Sequence, residues 1–179
     1  MTEVTLVSDT SAMRRLSRWR VPLGFALGIV VLWLARPNAA SLAWGAAIAM
    51  MGEALRVWAA GHLEKSREVT RSGPYRFTRH PLYAGSTIMA AGVAVAARSA
   101  AVWAIAAAYV VVMIGSAIRS EESFLRRRFG AAWDDYRAGR VAHEPRPFSL
   151  ARAVRNREWG ALIGLIAAFA LLALKMRLG

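Results

Sequence analysis

Two stretches of this chain hold most of the side chains that could do chemistry. SGPYRFTRHPLYAG, Ser72 to Gly85, carries two arginines, a histidine, two tyrosines and two prolines between two strongly apolar regions. RSEESFLRRRFGAAWDDYRAG, Arg119 to Gly139, opens on the adjacent carboxylates Glu121 and Glu122. Arg79 offers a planar fork for a carboxylate or phosphate. Tyr83 can turn its ring to a helix bundle while its hydroxyl finds a polar partner. Two neighbouring carboxylates on a helix point in different directions, so one can meet a cation while the other holds an arginine.

Each of these residues also has a plainer reading. Arg79 can be one topology charge among many, His80 can hydrogen-bond a carbonyl to hold a bend, and Glu122 with Arg126 can be an ordinary i,i+4 surface pair. A third pair, Glu53 and Arg56, lies three apart in an apolar span and therefore shares a helix face. Ionisable residues at membrane depth are functional candidates, or else they neutralise one another while Arg56 snorkels.

The elements that must position these groups follow from hydropathy. With 56% hydrophobic residues and positive mean hydropathy over 179 residues, the chain reads as all-α, a single polytopic membrane domain. A helix needs roughly 20 apolar residues to cross about 30 Å of hydrocarbon. The apolar runs are Val21 to Ala35, Ala39 to Gly61, Leu82 to Ile118 and Trp159 to Leu174. Arg98-Ser99 divides the third into a hairpin, so about five transmembrane helices are expected, the N-terminus and C-terminus on opposite sides. The basic RRLSRWR before the first run resembles the start of a secretory signal, but four further spans favour a retained helix. Gly24-x-x-x-Gly28 and Gly160-x-x-x-Gly164 are spacings that let helices approach.

The net charge of +13 is distributed, with four Lys and Arg in residues 1–20, five in 62–81 and ten in 119–158. The opposite side has Arg36, Arg98, Lys175 and Arg177. The positive-inside rule makes the three basic segments cytoplasmic, with membrane lipids, anionic headgroups above all, as neighbours. No nucleic-acid module accompanies the charge, which excludes that partner. With no cysteine, and with His62, His80 and His143 in no metal-binding spacing, no metal is expected. GxGxxG and P-loop signatures are absent, and no transporter-type repeat is visible. The Ala- and Arg-heavy composition suggests a prokaryotic setting, hence a bacterial inner membrane.

Because the third and fourth helices form a hairpin, the two polar stretches emerge at one membrane face. Gly73-Pro74 signals a turn, and Pro81 suits the first position of a helix while disfavouring helical geometry at His80.

The segment G-P-Y-R-F-T-R-H-P-L-Y-A-G, followed after the hairpin by E-E-x-x-L-x-x-x-F-G-x-x-W-x-x-Y and a proline-containing tail, resembles the isoprenylcysteine carboxyl methyltransferase family and the broader membrane phospholipid methyltransferases. The resemblance covers Gly73 to Phe148. It implies S-adenosylmethionine as cofactor, bound at a cytoplasmic site by Tyr75, Arg79, His80, Tyr83, Glu121 and Glu122, with Arg79, His80 and Glu122 as catalytic candidates. The methyl acceptor it implies is lipophilic, a carboxylate, amine or thiol; Glu53 and Arg56, outside the resemblance, are candidates to bind it because they share a face of the second span. Residues 1–61 then form the acceptor side, 62–148 the motif region and 149–179 a C-terminal helix. Two other classes compete: a sterol-type reductase, which has an RHPxY-like element and uses NADPH, and a non-catalytic membrane scaffold.

Overall fold

The computed structural model of the chain describes residues 24–142 and 144–178. The basic N-terminal segment, the start of the first apolar run and His143 lie outside the described residues. The described residues form seven helices, α1 (Gly24–Leu34), α2 (Ala39–Ala60), α3 (Pro81–Ala97), α4 (Ala100–Phe129), α5 (Ala131–Arg137), α6 (Leu150–Arg155) and α7 (Trp159–Leu178). All regular structure among the described residues is helical, with one 3₁₀ turn at Gly73–Arg76 before α3.

Local chemistry sets the helix ends. At the start of α2, Asn38 accepts from the Ser41 amide at 2.8 Å and Ser41 returns the favour to the Asn38 amide at 3.0 Å, a reciprocal cap. Pro81 begins α3, where a missing N–H leaves nothing unsatisfied. Arg98 ends it in the left-handed region at φ 48°, so the hairpin breaks at the expected Arg98-Ser99. The next helix does not end where the apolar run does. Between Ala100 and Phe129 there is no proline and Gly115 is the one glycine, so α4 continues past Ile118 through the Glu pair. It contains a π-helical turn at Val110–Ile114 and stops at Gly130, whose φ is +49°. The Glu pair thus lies within the last turns of this helix, and Arg126, which the sequence offers to Glu122 as an i,i+4 partner, pairs with Asp134 of α5 at 3.5 Å.

α2 and α3 pack most closely, through glycines seven apart on each helix. A Cβ at Gly52 would stand 2.6 Å from the Gly85 carbonyl oxygen, and one at Gly92 would stand 2.6 Å from that of Gly45. Small residues here let the backbones meet. By contrast, nothing lies within 4 Å of a Cβ position at Gly24, Gly28, Gly160 or Gly164.

Of the five expected spans, α4 and α7 are long and apolar enough to cross a membrane. α1, as far as it is described, and α3 are apolar but shorter, while α2 has the length and carries Glu53 and Arg56. Large apolar side chains such as Trp44, Met51, Trp103, Val111 and Ile163 point outward. The bundle has two unlike ends. At one, the Arg36 amide donates to the Ala97 carbonyl, and Lys175 donates to the carbonyls of Leu32 and Trp33 at 2.6 and 2.7 Å. At the other end the loop after α2, the end of α4, α5, α6 and the start of α7 gather both basic stretches described above.

Candidate functional site

A cavity of about 760 Å³ opens at this polar end, a size typical of sites for small organic ligands. α4 contributes Met113, Ser116, Ala117, Ser120, Glu121 and Phe124, a spacing that places them on one helical face. The turn into α3 contributes Tyr75, Arg79, Leu82 and Tyr83, because the 3₁₀ turn buries Tyr75 and Pro81 fixes the entry of the helix. Gly73 makes that turn possible: its φ is +57°, and a Cβ there would press on the His62 ring. Trp133 of α5, Arg56 of α2, most of the loop 63–70, and Asn156 and Glu158 before α7 complete the wall.

The two glutamates separate. Glu121 lines the cavity. Glu122, about 100° further round the helix, turns to the α3 entry, where its carboxylate accepts from His80 Nε2 at 3.0 Å and lies 3.7 Å from Arg79. His80 and Glu122 therefore stand behind the cavity, whereas Tyr75, Arg79, Tyr83 and Glu121 line it. The His80 ring leans on that of Tyr83, with centroids 6.0 Å apart.

Aromatic groups close one side. Tyr136 donates to the Tyr75 carbonyl at 2.6 Å and packs on Trp133, itself 2% exposed. Burial pushes the Tyr136 phenol up to about 12, with Arg79 working against it. Burial, helped by the Glu121 charge, raises that of Tyr75 further. Both are neutral hydroxyls at physiological pH.

Glu53 and Arg56 are adjacent but serve different spaces. Arg56 lies on the cavity wall, held from three sides: it donates to Ser86 Oγ at 2.5 Å and to the Leu82 carbonyl at 3.3 Å, and pairs with Glu158 at 2.7 Å. Glu53 is 2% exposed, 3.7 Å from Arg56 Nε, and neither carboxylate oxygen has a hydrogen-bond partner. It lines a second, apolar groove of about 380 Å³ with Met50, Trp58, Phe148 and Leu162. Glu158 is the residue that sequence reasoning missed. Its signal was available, since it is the sole carboxylate after Glu144 and stands where a long apolar helix begins.

The cavity rim is stapled by the segment after α5. Arg152 donates to Glu64 at 2.8 Å and to the Gly61 carbonyl, and Arg146 pairs with Glu68. Burial raises the Glu64 carboxyl, but its hydrogen bond from Arg152 and the charges of Arg155, Arg152 and Arg67 outweigh this and hold it below the usual range. His62, 5% exposed beside Ser72 and Phe148, has its pKa lowered by burial and by Arg152 and Arg146. Among the described residues, no three His, Cys, Asp or Glu are grouped to hold a metal ion.

Comparison with known proteins is consistent with this geometry. A family model described as phospholipid methyltransferase matches residues 19–132. The nickel-cobalt-cadmium resistance protein NccN of Alcaligenes xylosoxydans xylosoxydans is 31% identical over 142 residues, 74% of this chain and 65% of that protein. The cobalt-zinc-cadmium resistance protein CzcN of Cupriavidus metallidurans is 30% identical over 125 residues, 64% of this chain and 56% of that protein. The matches thus span less than two thirds of either relative's own length. No solved structure matches.

Proposed function

The chain belongs to the phospholipid methyltransferase family, and from that premise we propose that it is an integral membrane methyltransferase that uses S-adenosylmethionine and acts on a lipophilic acceptor. The observation that carries this reading is the cavity lined together by Tyr75, Arg79, Tyr83 and Glu121, which come from the two separate motifs. Its chemistry suits a zwitterion bearing a sulfonium. Glu121 and Glu158 are carboxylates for the cationic groups, Arg79 is a fork for a carboxylate, and Tyr75, Tyr83 and Trp133 are aromatic faces for a cation or an adenine.

The cofactor would supply an electrophilic methyl group, and the chain's own contribution is mainly position. Holding reactants in line in a closed site can supply several kcal/mol of the barrier. Glu122 acts through His80 and Arg79, fixing the α3 entry so that Arg79 reaches the cavity; it is a positioning residue. A carboxylate acceptor would need only a cation to orient it, while an amine or thiol would need a proton acceptor, for which a cavity glutamate is the candidate in place of His80, which stands behind the cavity. The helices of residues 1–61 and Arg56 form the side from which the acceptor would come, residues 62–148 carry the donor site, and residues 149–179 add Glu158 to it. In this reading the polar end is cytoplasmic and the membrane is a bacterial inner membrane.

Calorimetric titration of the detergent-purified protein tests the proposal. S-adenosylmethionine should bind saturably and NADPH should not. Binding of NADPH alone would move the protein to the reductases, and binding of neither would favour a scaffold.

A further inference from the structure

The segment 148–159 has two faces of opposite character. Its inner face is tied down: besides Arg152 on Glu64, Asn156 donates to the Ala60 and Leu63 carbonyls at 2.9 and 3.0 Å, Ala153 is 3% exposed and Glu158 meets Arg56. Its outer face presents Phe148, Leu150, Val154 and Trp159, which are 46, 65, 54 and 56% exposed. Arg155 and Arg157 stand among them on the outside, Arg155 keeping one contact of 3.3 Å to Glu64 with 61% of its side chain exposed.

What covers this face follows from where it sits. α7 begins at Trp159 and is long and apolar enough to cross a membrane, so the residues just before it lie at the level where a chain passes from headgroups to hydrocarbon. Apolar side chains at that level sink below the headgroups, and guanidinium groups beside them meet the phosphates. The outward charge is of one sign: of the four arginines from Pro145 to Trp159, Arg146 and Arg152 pair inward with Glu68 and Glu64 while Arg155 and Arg157 face out, and the one carboxylate is turned inward on Arg56.

We propose that the outer face of residues 148–159 is a docking surface for anionic phospholipid headgroups, with Leu150 and Val154 immersed and Arg155 and Arg157 on the phosphates. It rests on α7 entering a membrane and does not depend on methyl transfer. Each arginine near a charged bilayer is worth about 1 kcal/mol, or roughly a fivefold enrichment of anionic lipid.

The chain has no cysteine, so Leu150→Cys gives a single labelling site. The full chain, labelled there with a fluorophore and placed one copy per nanodisc of phosphatidylcholine and phosphatidylglycerol, is quenched by nitroxide carried on the headgroup of one lipid or the other. Quenching by labelled phosphatidylglycerol should exceed that by labelled phosphatidylcholine several-fold. In R155Q/R157Q the ratio should fall towards one, while Arg76→Gln, an exposed arginine elsewhere, should leave it unchanged. Val154→Cys, labelled in the same way, provides a second site should the first variant fold poorly. A label that neither lipid quenches would show a face turned to water and overturn the proposal. So would equal quenching by both lipids, or a ratio that Arg76→Gln lowers as much as the double variant does.

Discussion

Adjacent residues do different work when a helix carries them, and Glu121 and Glu122 are the case that matters most for the proposed donor site. Glu121 faces the cavity and Glu122 holds His80 and Arg79. Glu121→Gln should therefore weaken S-adenosylmethionine binding by about tenfold or more, a loss of roughly 1.4 kcal/mol, with the unfolding midpoint unchanged. Glu122→Gln should act on both, because it loosens the entry of α3. Calorimetry and thermal unfolding of the two variants separate these effects, and identical behaviour would refute the division of roles. His62 gives a second prediction, on stability. It is neutral in the fold because its pKa lies below the ordinary 6.5, so acid favours the unfolded chain, which takes up the proton more readily. The stability it contributes is complete above about 6.5 and is lost as pH falls through the lowered folded value. The unfolding midpoint should drop between pH 7.5 and 5, and His62→Gln should flatten that drop. An unchanged slope would show that other groups control the acid limb.

At the scale of elements, the α2–α3 seam explains why two helices with polar cargo lie side by side. Gly45 and Gly52 face Gly92 and Gly85, so that Arg56, one turn further on, reaches the Leu82 carbonyl and Ser86. Gly52→Ala should cost about 1–3 kcal/mol through overpacking, whereas Gly160→Ala should be neutral or stabilising, since nothing crowds it and alanine favours the helix. Denaturant unfolding in detergent would read the contrast, and equal effects would mean the seam is looser than its geometry implies. The glycine spacing of four, visible in sequence, lies on helices where nothing described stands within 4 Å of a Cβ position, whereas the seam uses glycines seven apart, because a motif states that an approach is permitted without saying which partner uses it. Helix starts were legible where backbone chemistry is decisive, at Pro81 and at Arg98-Ser99. The continuation of α4 to Phe129 was not, since hydropathy reports where a run leaves hydrocarbon and is silent on where its hydrogen bonds stop. Pairs such as Arg152 with Glu64 join residues 88 apart, and no local pattern announces them.

For the whole molecule, the cavity depends on residues outside the matched family region. Residues 19–132 contain Arg56, the first motif stretch, the Glu pair of the second and most of the wall, yet Trp133, Asn156 and Glu158 come from beyond them, and Glu158 binds Arg56 at 2.7 Å. One cation thus stands between two carboxylates, Glu158 and Glu53, all three largely removed from water. The two ends of this cluster are not equivalent. After Glu158→Gln, Arg56 keeps Glu53 at 3.7 Å, Ser86 and the Leu82 carbonyl. After Arg56→Met, two carboxylates are left with no cation between them, and breaking a buried pair by removing one partner costs on the order of 3–5 kcal/mol. Arg56→Met should therefore lower the unfolding midpoint far more than Glu158→Gln, and adding Glu53→Gln and Glu158→Gln to it should recover most of the loss, because no unpaired charge then remains. Denaturant unfolding of the four proteins in one detergent decides the matter. Equal losses in the two single variants would mean that Glu53 brings no charge to the cluster and that Arg56 and Glu158 form a simple pair tying α7 to the bundle.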